Sequence, residues 1–441
     1  MGDGAKDAVE VEAVIVGAGI AGLATALALR RAGVAGTGGG GVVVLERHAG
    51  LRAAGAALTI FPNGWFALHA LGVAHKLISR YDAYETSVVT NLETGATQVF
   101  PFGGHKSRND EVRVRAVHRK ALLEALAEEL PPGTIRFSSN LISISTEPAA
   151  DGSSEIAVVR LDDDTVIRSK VLIGCDGVHS VVARWLGLSE PASSGRSAVR
   201  GLSVFPGGHS LKKELRQFLP HGLRAGMVPI SDTDIYWFVV NNTVPAEREI
   251  GGDPEKILRE VTDNLGRQLP PEFLDVVRHS DPGNVTWAPL LYRAPWAILT
   301  GRAARGPVTV AGDAFHPMTP DMAQGGCAAL EDAVVLARAL SQGAPGAAWL
   351  PADGVAAYVA ERRVRAAWIV AGAYLSGWVQ QGSTGGARGA RAYAVKLFRD
   401  WIFYRFVFPF LADTMWYNCG ELAPPRGHEV EAEGKKSHAL S

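Results

Sequence analysis

Cysteine is scarce in this chain, and neither sign of charge is in excess. Three cysteines, Cys175, Cys327 and Cys419, stand among 441 residues. They are too few and too scattered for a disulfide framework, and no CxxC pair or Cys/His cluster offers a metal site. A reducing, cytoplasmic compartment is the simplest reading. Lys and Arg number 44 against 45 Asp and Glu, a formal net charge of −1. That balance argues against nucleic acid as a partner and against retention on anionic lipid by charge. Charged residues are only 20% and apolar ones 47%, which excludes a disordered polar chain.

Hydrophobic runs of spanning length are also missing. Residues 13–29 are uncharged, but Asp7, Glu10 and Glu12 precede them where a signal peptide would carry Lys or Arg. The run also contains three glycines and is short for a bilayer. Too few residues precede the first expected strand for a transit peptide. The aromatic stretch 397–411, LFRDWIFYRFVFPFL, carries Arg399, Asp400, Arg405 and Pro409, which forbid a buried lipid span. It reads as a terminal helix docked on the body, with peripheral membrane contact as the alternative.

What is abundant is glycine, at 50 residues, and position matters more than number. An apolar strand, 11–16, runs into Gly17-x-Gly19-x-x-Gly22 and then a helix over 20–31. The first glycine permits the tight turn, the second lets a pyrophosphate approach the backbone, and the third lets helix and strand pack closely. The pyrophosphate would sit on free N–H groups at the positive end of the helix. Glu46 closes the second strand, 42–46, and is placed to bind the ribose of an adenosine. The glycine run 36–41 precedes a strand instead of following one, so it reads as a loop.

Two further strand-to-helix crossings follow. One is 171-VLIGCDGVHSVVAR-184, with Asp176-Gly177 at its tip. The other is VTVAG leading into Gly312-Asp313-Ala314-Phe315-His316-Pro317, with Gln324-Gly325-Gly326 opening an amphipathic helix. Asp313 at a strand end suits a ribityl hydroxyl. A glycine-opened helix offers N–H groups and a positive dipole to the pyrimidine edge of a flavin. Between the second and third crossings, 190–298 reads as short strands with many Pro/Gly turns. The alternation predicts an α/β chain, a Rossmann-like nucleotide-binding domain interrupted by a β-rich domain, with C-terminal helices. In residues, the nucleotide domain takes 8–85, 106–187 and 299–345. The β-rich domain takes a hairpin, 86–105, and 188–298. A helical region, 346–425, contains a polar linker at 382–389, and a disordered tail occupies 426–441.

These three motifs, in this order, resemble the single-component FAD-dependent aromatic hydroxylases of the para-hydroxybenzoate hydroxylase fold, over residues 10–345. The stretch ERHAGLRAAGAALTIFPNGWFALHALGV, 46–73, is most similar to plant FAD monooxygenases and the urate and salicylate hydroxylase branch. The resemblance implies FAD bound by Gly17, Gly19, Gly22, Glu46, Arg47, Thr59, Arg119, Leu141, Asp176, Asp313, Gly325 and Gly326. It implies NAD(P)H as a transient co-substrate, O2 as the second, and transfer of one oxygen through a flavin C4a-hydroperoxide to a small aromatic or heteroaromatic substrate. A monomer or homodimer is expected. Ala323 and Cys327 stand where the family often has Gly and Asn, which weakens the inferred contacts to the flavin ring.

Arg224 and Tyr236 flank a strand pair, GMVPI and DIYWFVV. They match by spacing an Arg and a Tyr that act on substrate in the urate-hydroxylase branch. An Arg can grip a carboxylate or urate-like anion in a bidentate way, and a Tyr can orient or help deprotonate a phenol. His316 is better suited to a structural role in the flavin loop than to that of a base. Phe238, Trp237 and Trp287 could line a cavity or belong to the core. The same scaffold would also serve an epoxidase, an oxidase, or a flavin-binding regulator with vestigial turnover.

Overall fold

The computed structural model describes residues 9–34, 41–52, 57–102, 109–150, 152, 154–242, 252–341, 350–381 and 408–422. The expectations for 36–40, 382–389, 397–407 and 426–441 lie outside the described residues.

The first strand, Val9–Val16, is rich in β-branched residues and wholly apolar over its last four positions, which are buried. Such a run suits a strand covered on both faces. It pairs in parallel with Val166–Gly174 on one side and with Val42–Leu45 on the other. The eight-stranded sheet runs Ala304–Arg305, Val308–Val310, Val166–Gly174, Val9–Val16, Val42–Leu45, Ile135–Arg136. Leu141–Pro148 and Glu155–Leu161 form an antiparallel extension on Val166–Gly174. Helices Ile20–Arg31 and Gly325–Ser341 pack against each other over this core.

Register decides where the three crossings emerge. Val16 lies beside Gly174, and Gly174 beside Val310. The turns at Gly17, Cys175–Gly177 and Ala311–Asp313 therefore leave adjacent strands at the same carboxyl edge. In a parallel sheet this edge is where nucleotides bind. Gly17 has φ of +102°, and an added Cβ would lie 2.6 Å from the Cys175 carbonyl oxygen. Only glycine fits there.

A second sheet of seven strands runs Thr286–Tyr292, Ala192–Val204, Asp234–Asn241, Arg224–Pro229, Leu215–Leu219, Thr86–Asn91, Thr97–Pro101. All its pairs are antiparallel except Leu215–Leu219 with Thr86–Asn91. Period-2 alternation gives it two distinct faces. Val199, Phe218, Ala225, Met227, Trp237 and Val239 point to one side. There they bury helices Pro254–Asp263 and Pro271–Arg278 through Ile257, Val261, Phe273, Val276 and Val277. These helices correct the strand-only reading of 190–298. Asp253 caps the first of them by accepting from the Glu255 and Lys256 N–H groups, and a proline opens each.

Candidate functional site

The opposite face of the second sheet looks towards the carboxyl edge of the first, and a cavity of about 630 Å³ lies between them. Ser87, Val89, Gln217, Arg224, Val228, Tyr236, Phe238 and Arg200 line it from the sheet; Gly19, Ile20, Arg119, Gly177, Asp313, Gly325 and Gly326 line it from the nucleotide side. Thr59, on the short strand Ala57–Ile60, lies at the same cavity. Apolar walls with a few convergent charged groups are usual for a small-molecule site.

On the nucleotide side the residues present fit a bound FAD. A Cβ at Gly19 would meet nothing within 4 Å, so the backbone there faces open space. The helix beginning at Gly325 opens directly on the cavity, with Asp313 Oδ1 3.9 Å from where a Gly325 Cβ would be. Asp313 is exposed and lines this cavity, and desolvation by the surrounding protein pushes its carboxyl pKa upward. His316, Arg200 and Arg119 oppose that rise. Burial lowers the Arg119 pKa, opposed by the charge of Asp313. Arg119 also donates to the Arg52 carbonyl, and an anion beside it and a hydroxyl beside Asp313 would suit the two groups.

Other expected cofactor residues are not brought into this cavity. Gly17 and Gly22 act behind it: a Cβ on Gly22 would collide with the Gly17 carbonyl oxygen at 1.9 Å. Glu46 accepts from the Ala18 N–H at 3.0 Å and the His48 N–H at 2.9 Å, so it ties the second strand to the glycine turn. Asp176 caps helix Val181–Leu186, accepting from the Val181 N–H at 2.7 Å and from Ser180 Oγ. Arg47 is exposed and donates to His48 Nε2 at 3.2 Å. Leu141 begins the antiparallel extension and packs against the main core.

Arg224 and Tyr236 do share the cavity wall. Register places Arg224 opposite Val240, and Val228 opposite Tyr236, so both side chains fall on the same face. Arg224 is buried. Its Nε and Nη2 donate to Gln217 Oε1 at 3.0 and 2.7 Å, and its guanidinium lies 5.4 Å from the Phe238 ring centroid. Its Nη1 donates to Asp321 Oδ1 at 3.0 Å, and Arg196 grips the same carboxylate at 3.1 and 2.8 Å. Two cations on one anion leave a net positive charge at this wall. Burial raises the Tyr236 pKa, opposed by Arg200 and Arg224, so the phenol is a neutral O–H donor at neutral pH. Phe238 lines the cavity, whereas Trp237 and Trp287 belong to the helix-covered face.

His316 is wholly buried, with Nε2 2.6 Å from Asp332 Oδ2. The same oxygen accepts from the Gly312 N–H at 2.8 Å, and Asp332 Oδ1 accepts from Arg362 Nε at 2.7 Å. Burial alone would raise the Asp332 pKa, but His316 and Arg362 outweigh it and bring it to about 2. Asp332 thus fixes the Gly312–Ala314 turn that carries Asp313. Next to it, Glu331 is held by Arg365 at 2.7 and 2.6 Å, and it accepts from Asn63 Nδ2 at 2.6 Å. Asn63 also donates to Gln324 Oε1 at 2.8 Å. Arg293, also buried, donates to the Ala314 carbonyl at 2.7 Å. Sequence reasoning missed this network. Its one visible signal was an acidic pair, Glu331-Asp332, inside an otherwise apolar helix.

Of the two expected departures, Ala323 adopts left-handed backbone with φ of +51°. Cys327 is buried, its thiol pKa raised to about 12 by desolvation, which makes it an inert packing group. Among the described residues there is no His/Cys/Asp/Glu cluster able to hold a metal and no helix long and apolar enough to cross a membrane.

Comparison with known proteins agrees with this geometry. The family model described as FAD binding domain matches residues 10–373. Monooxygenase 2 of Arabidopsis thaliana is 37% identical over 93% of this chain and 98% of its own length. The FAD-dependent urate hydroxylase of Mycolicibacterium vanbaalenii is 28% identical over 82% of this chain and 86% of its own. The crystal structure of Klebsiella pneumoniae HpxO complexed with FAD and uric acid shares the fold, with a TM-score of 0.75 at 23% identity, over 94% of this chain and 98% of that one. The chain belongs to the FAD binding domain family, within its FAD-dependent monooxygenases.

Proposed function

We propose that this chain hydroxylates a small aromatic or heteroaromatic anion, consuming one NAD(P)H and one O2 and releasing one water. The observation that carries the reading is the shared cavity: the nucleotide edge with Asp313, Gly325 and Gly326 faces the sheet wall with Arg224 and Tyr236. When bound, FAD supplies the redox chemistry, taking electrons from NAD(P)H and passing one oxygen atom of O2 to the ring. Gly19 and Arg119 would hold its pyrophosphate, Asp313 its ribityl chain, and the N-terminus of Gly325–Ser341 its pyrimidine edge. Gly17, Gly22, Glu46 and Asp176 would shape the backbone around it, and Thr59 would border the ring.

The protein's own groups select and orient the substrate. With Arg119 assigned to the pyrophosphate and Arg113 paired with Asp110 and Glu85, Arg200 and Arg224 are the lining cations beside the substrate space, which favours a carboxylate or enolate. Arg224, fixed by Gln217 and Asp321, supplies charge at a defined place. Tyr236, a neutral donor, orients a substrate oxygen and does not abstract its proton. Uric acid is held by one structural neighbour, and 3-amino-4-hydroxybenzoate is named as substrate of a relative 29% identical to this chain; both are small anionic rings.

The test is a screen of aromatic acids, phenols and purines against FAD-loaded protein, scoring stimulated NAD(P)H oxidation together with hydroxylated product. Product must be quantified, because uncoupled turnover makes peroxide. The reading fails if no ligand accelerates flavin reduction or if oxidation never yields oxygenated product.

A further inference from the structure

The cavity has a third wall that belongs to neither sheet. Ala412, Met415 and Trp416 line it, from the last described segment of the chain. Helix Phe408–Asp413 brings the backbone to a tight turn, Thr414–Trp416, which packs against helix Pro62–Ala70. Phe61 and Pro62 at the start of that helix line the same cavity.

The turn is held from outside. Arg365 Nη2 donates to the Thr414 carbonyl at 2.9 Å, and its guanidinium lies 4.0 Å from the Tyr417 ring centroid. The Tyr417 hydroxyl donates to Glu361 Oε1 at 3.2 Å. Arg338 donates to the Cys419 carbonyl and to Glu361 Oε1, so the segment is gripped on both sides of Tyr417. Arg365 is the residue that also clasps Glu331, whose Asn63 bond leads to Gln324 just before Gly325. Seating of the turn and seating of the flavin-facing helix therefore share one arginine.

The three walls differ in kind. The sheet wall is fixed by backbone ladders, and the nucleotide edge by parallel pairing and the buried Asp332 and Arg293 bonds. The turn is fixed by side-chain bonds and by core packing of Leu411, Met415 and Cys419, and it presents two bulky side chains, one a pliable thioether. We propose that Thr414–Trp416 gauges ring size: Met415 and Trp416 determine how large an aromatic anion the cavity admits, and Arg365 is the positioning residue that keeps them there. This rests on the reading of the cavity as an aromatic-substrate site.

The experiment measures Kd from the change in flavin absorbance of full-length, FAD-loaded protein with benzoate, 2-naphthoate and 2-anthroate. Trp416→Ala and Met415→Ala should each improve 2-anthroate relative to benzoate by about tenfold, the scale of a changed pocket volume. Ala412→Phe should shift the ratio by a similar factor the other way. Arg365→Gln should move it in the same direction as Trp416→Ala, although Arg365 does not line the cavity, while Tyr417→Phe, which keeps the ring under the guanidinium, should leave it unchanged. Should Trp416→Ala fail to hold FAD, Trp416→Leu takes its place, with a smaller shift of the same sign. An unchanged size ratio in FAD-loaded Trp416 and Ala412 variants overturns the proposal and leaves the hydroxylase reading standing. If none of the acids, nor urate, perturbs the wild-type flavin, the substrate reading falls and this proposal with it.

Discussion

Arg224 Nη1 donates to Asp321 Oδ1 at 3.0 Å, joining a strand of the seven-stranded sheet to the loop that precedes helix Gly325–Ser341. Arg196 holds the same carboxylate, and all three residues are buried. Removing the anion leaves two buried cations facing one another. Asp321→Asn should therefore cost about 3 kcal/mol, the scale of breaking a buried pair. Adding Arg196→Met should cost less in that background than in wild type, by more than about 1 kcal/mol. Denaturant unfolding of the four proteins in the cycle measures both; equal costs in the two backgrounds would dissolve the idea of a coupled cluster.

In the proposed function Asp313 takes a ribityl hydroxyl of FAD. Asp313→Ala should weaken FAD by about tenfold or more, equivalent to about 1.5–3 kcal/mol for a charged hydrogen bond. Fluorescence titration of apoprotein with FAD is the measurement. Wild-type affinity in the variant would remove Asp313 from the cofactor site.

Acid should loosen the turn that carries Asp313. The Asp332 pKa is depressed from 3.8 to about 2, so its stabilising contribution is complete above about pH 4 and is lost as pH falls through 2. A depression of that size corresponds to about 2 kcal/mol. Asp332→Asn should flatten the fall in stability between pH 4 and 2, read from urea midpoints across that range. An acid limb of unaltered steepness would count against the assignment.

Tyr236 has its pKa raised above the ordinary 10.0, so it stays protonated throughout the neutral range. The profile of kcat/KM should contain no ionisation below pH 10 that Tyr236→Phe abolishes. The substitution should lower kcat/KM by about tenfold, as for one neutral hydrogen bond. A base-type limb near pH 8 that vanishes in the variant would instead make Tyr236 a proton acceptor.

Ala323 bears left-handed backbone at φ of +51° and ψ of +31°, a conformation that costs a non-glycine residue about 1–2 kcal/mol. Ala323→Gly relieves this but loosens the unfolded chain by about 0.4–1 kcal/mol. A net gain of up to about 1 kcal/mol is expected by thermal unfolding. Clear destabilisation would mean that the Ala323 methyl is packed to advantage.

The fold class was legible because each nucleotide-side crossing is local: strand, glycine turn and helix follow one another without a break at 9–31, 166–186 and 308–341. Arg224 and Tyr236 were singled out by the family resemblance, and the strand register is what sets them on one face. What escaped was long-range. Arg362 and Arg365 meet Glu331 and Asp332 from a helix about thirty positions on, and no local pattern announces which buried acid an arginine will meet. Asp321 escaped for the same reason, since its partners lie on two separate strands. The helices at 254–278 were announced, by Asp253-Pro254 and Pro270-Pro271, but the surrounding turn-rich strands masked those signals. Asp176 carries a local role that the motif did not announce: it accepts from Ser180 Oγ and the Val181 N–H at the start of its own helix.

Helix Pro351–Gln381 reaches several of the polar clusters described above. Tyr358 donates to the Val310 carbonyl, Arg362 and Arg365 hold the acidic pair, and Gly372 lies against Met322 and Leu411. One turn further, Gly377 admits Arg196 and Asp321, where a Cβ would sit 2.2 and 2.3 Å from their side-chain atoms. The helix is thus an indexing rod, with its teeth cut at fixed angles. Deleting a single residue midway would rotate everything beyond it by about 100° and withdraw it by about 1.5 Å. Pairings on one side of the cut would then be misaligned together. Insertions or deletions tolerated by the protein should therefore fall before Pro351 or after Gln381.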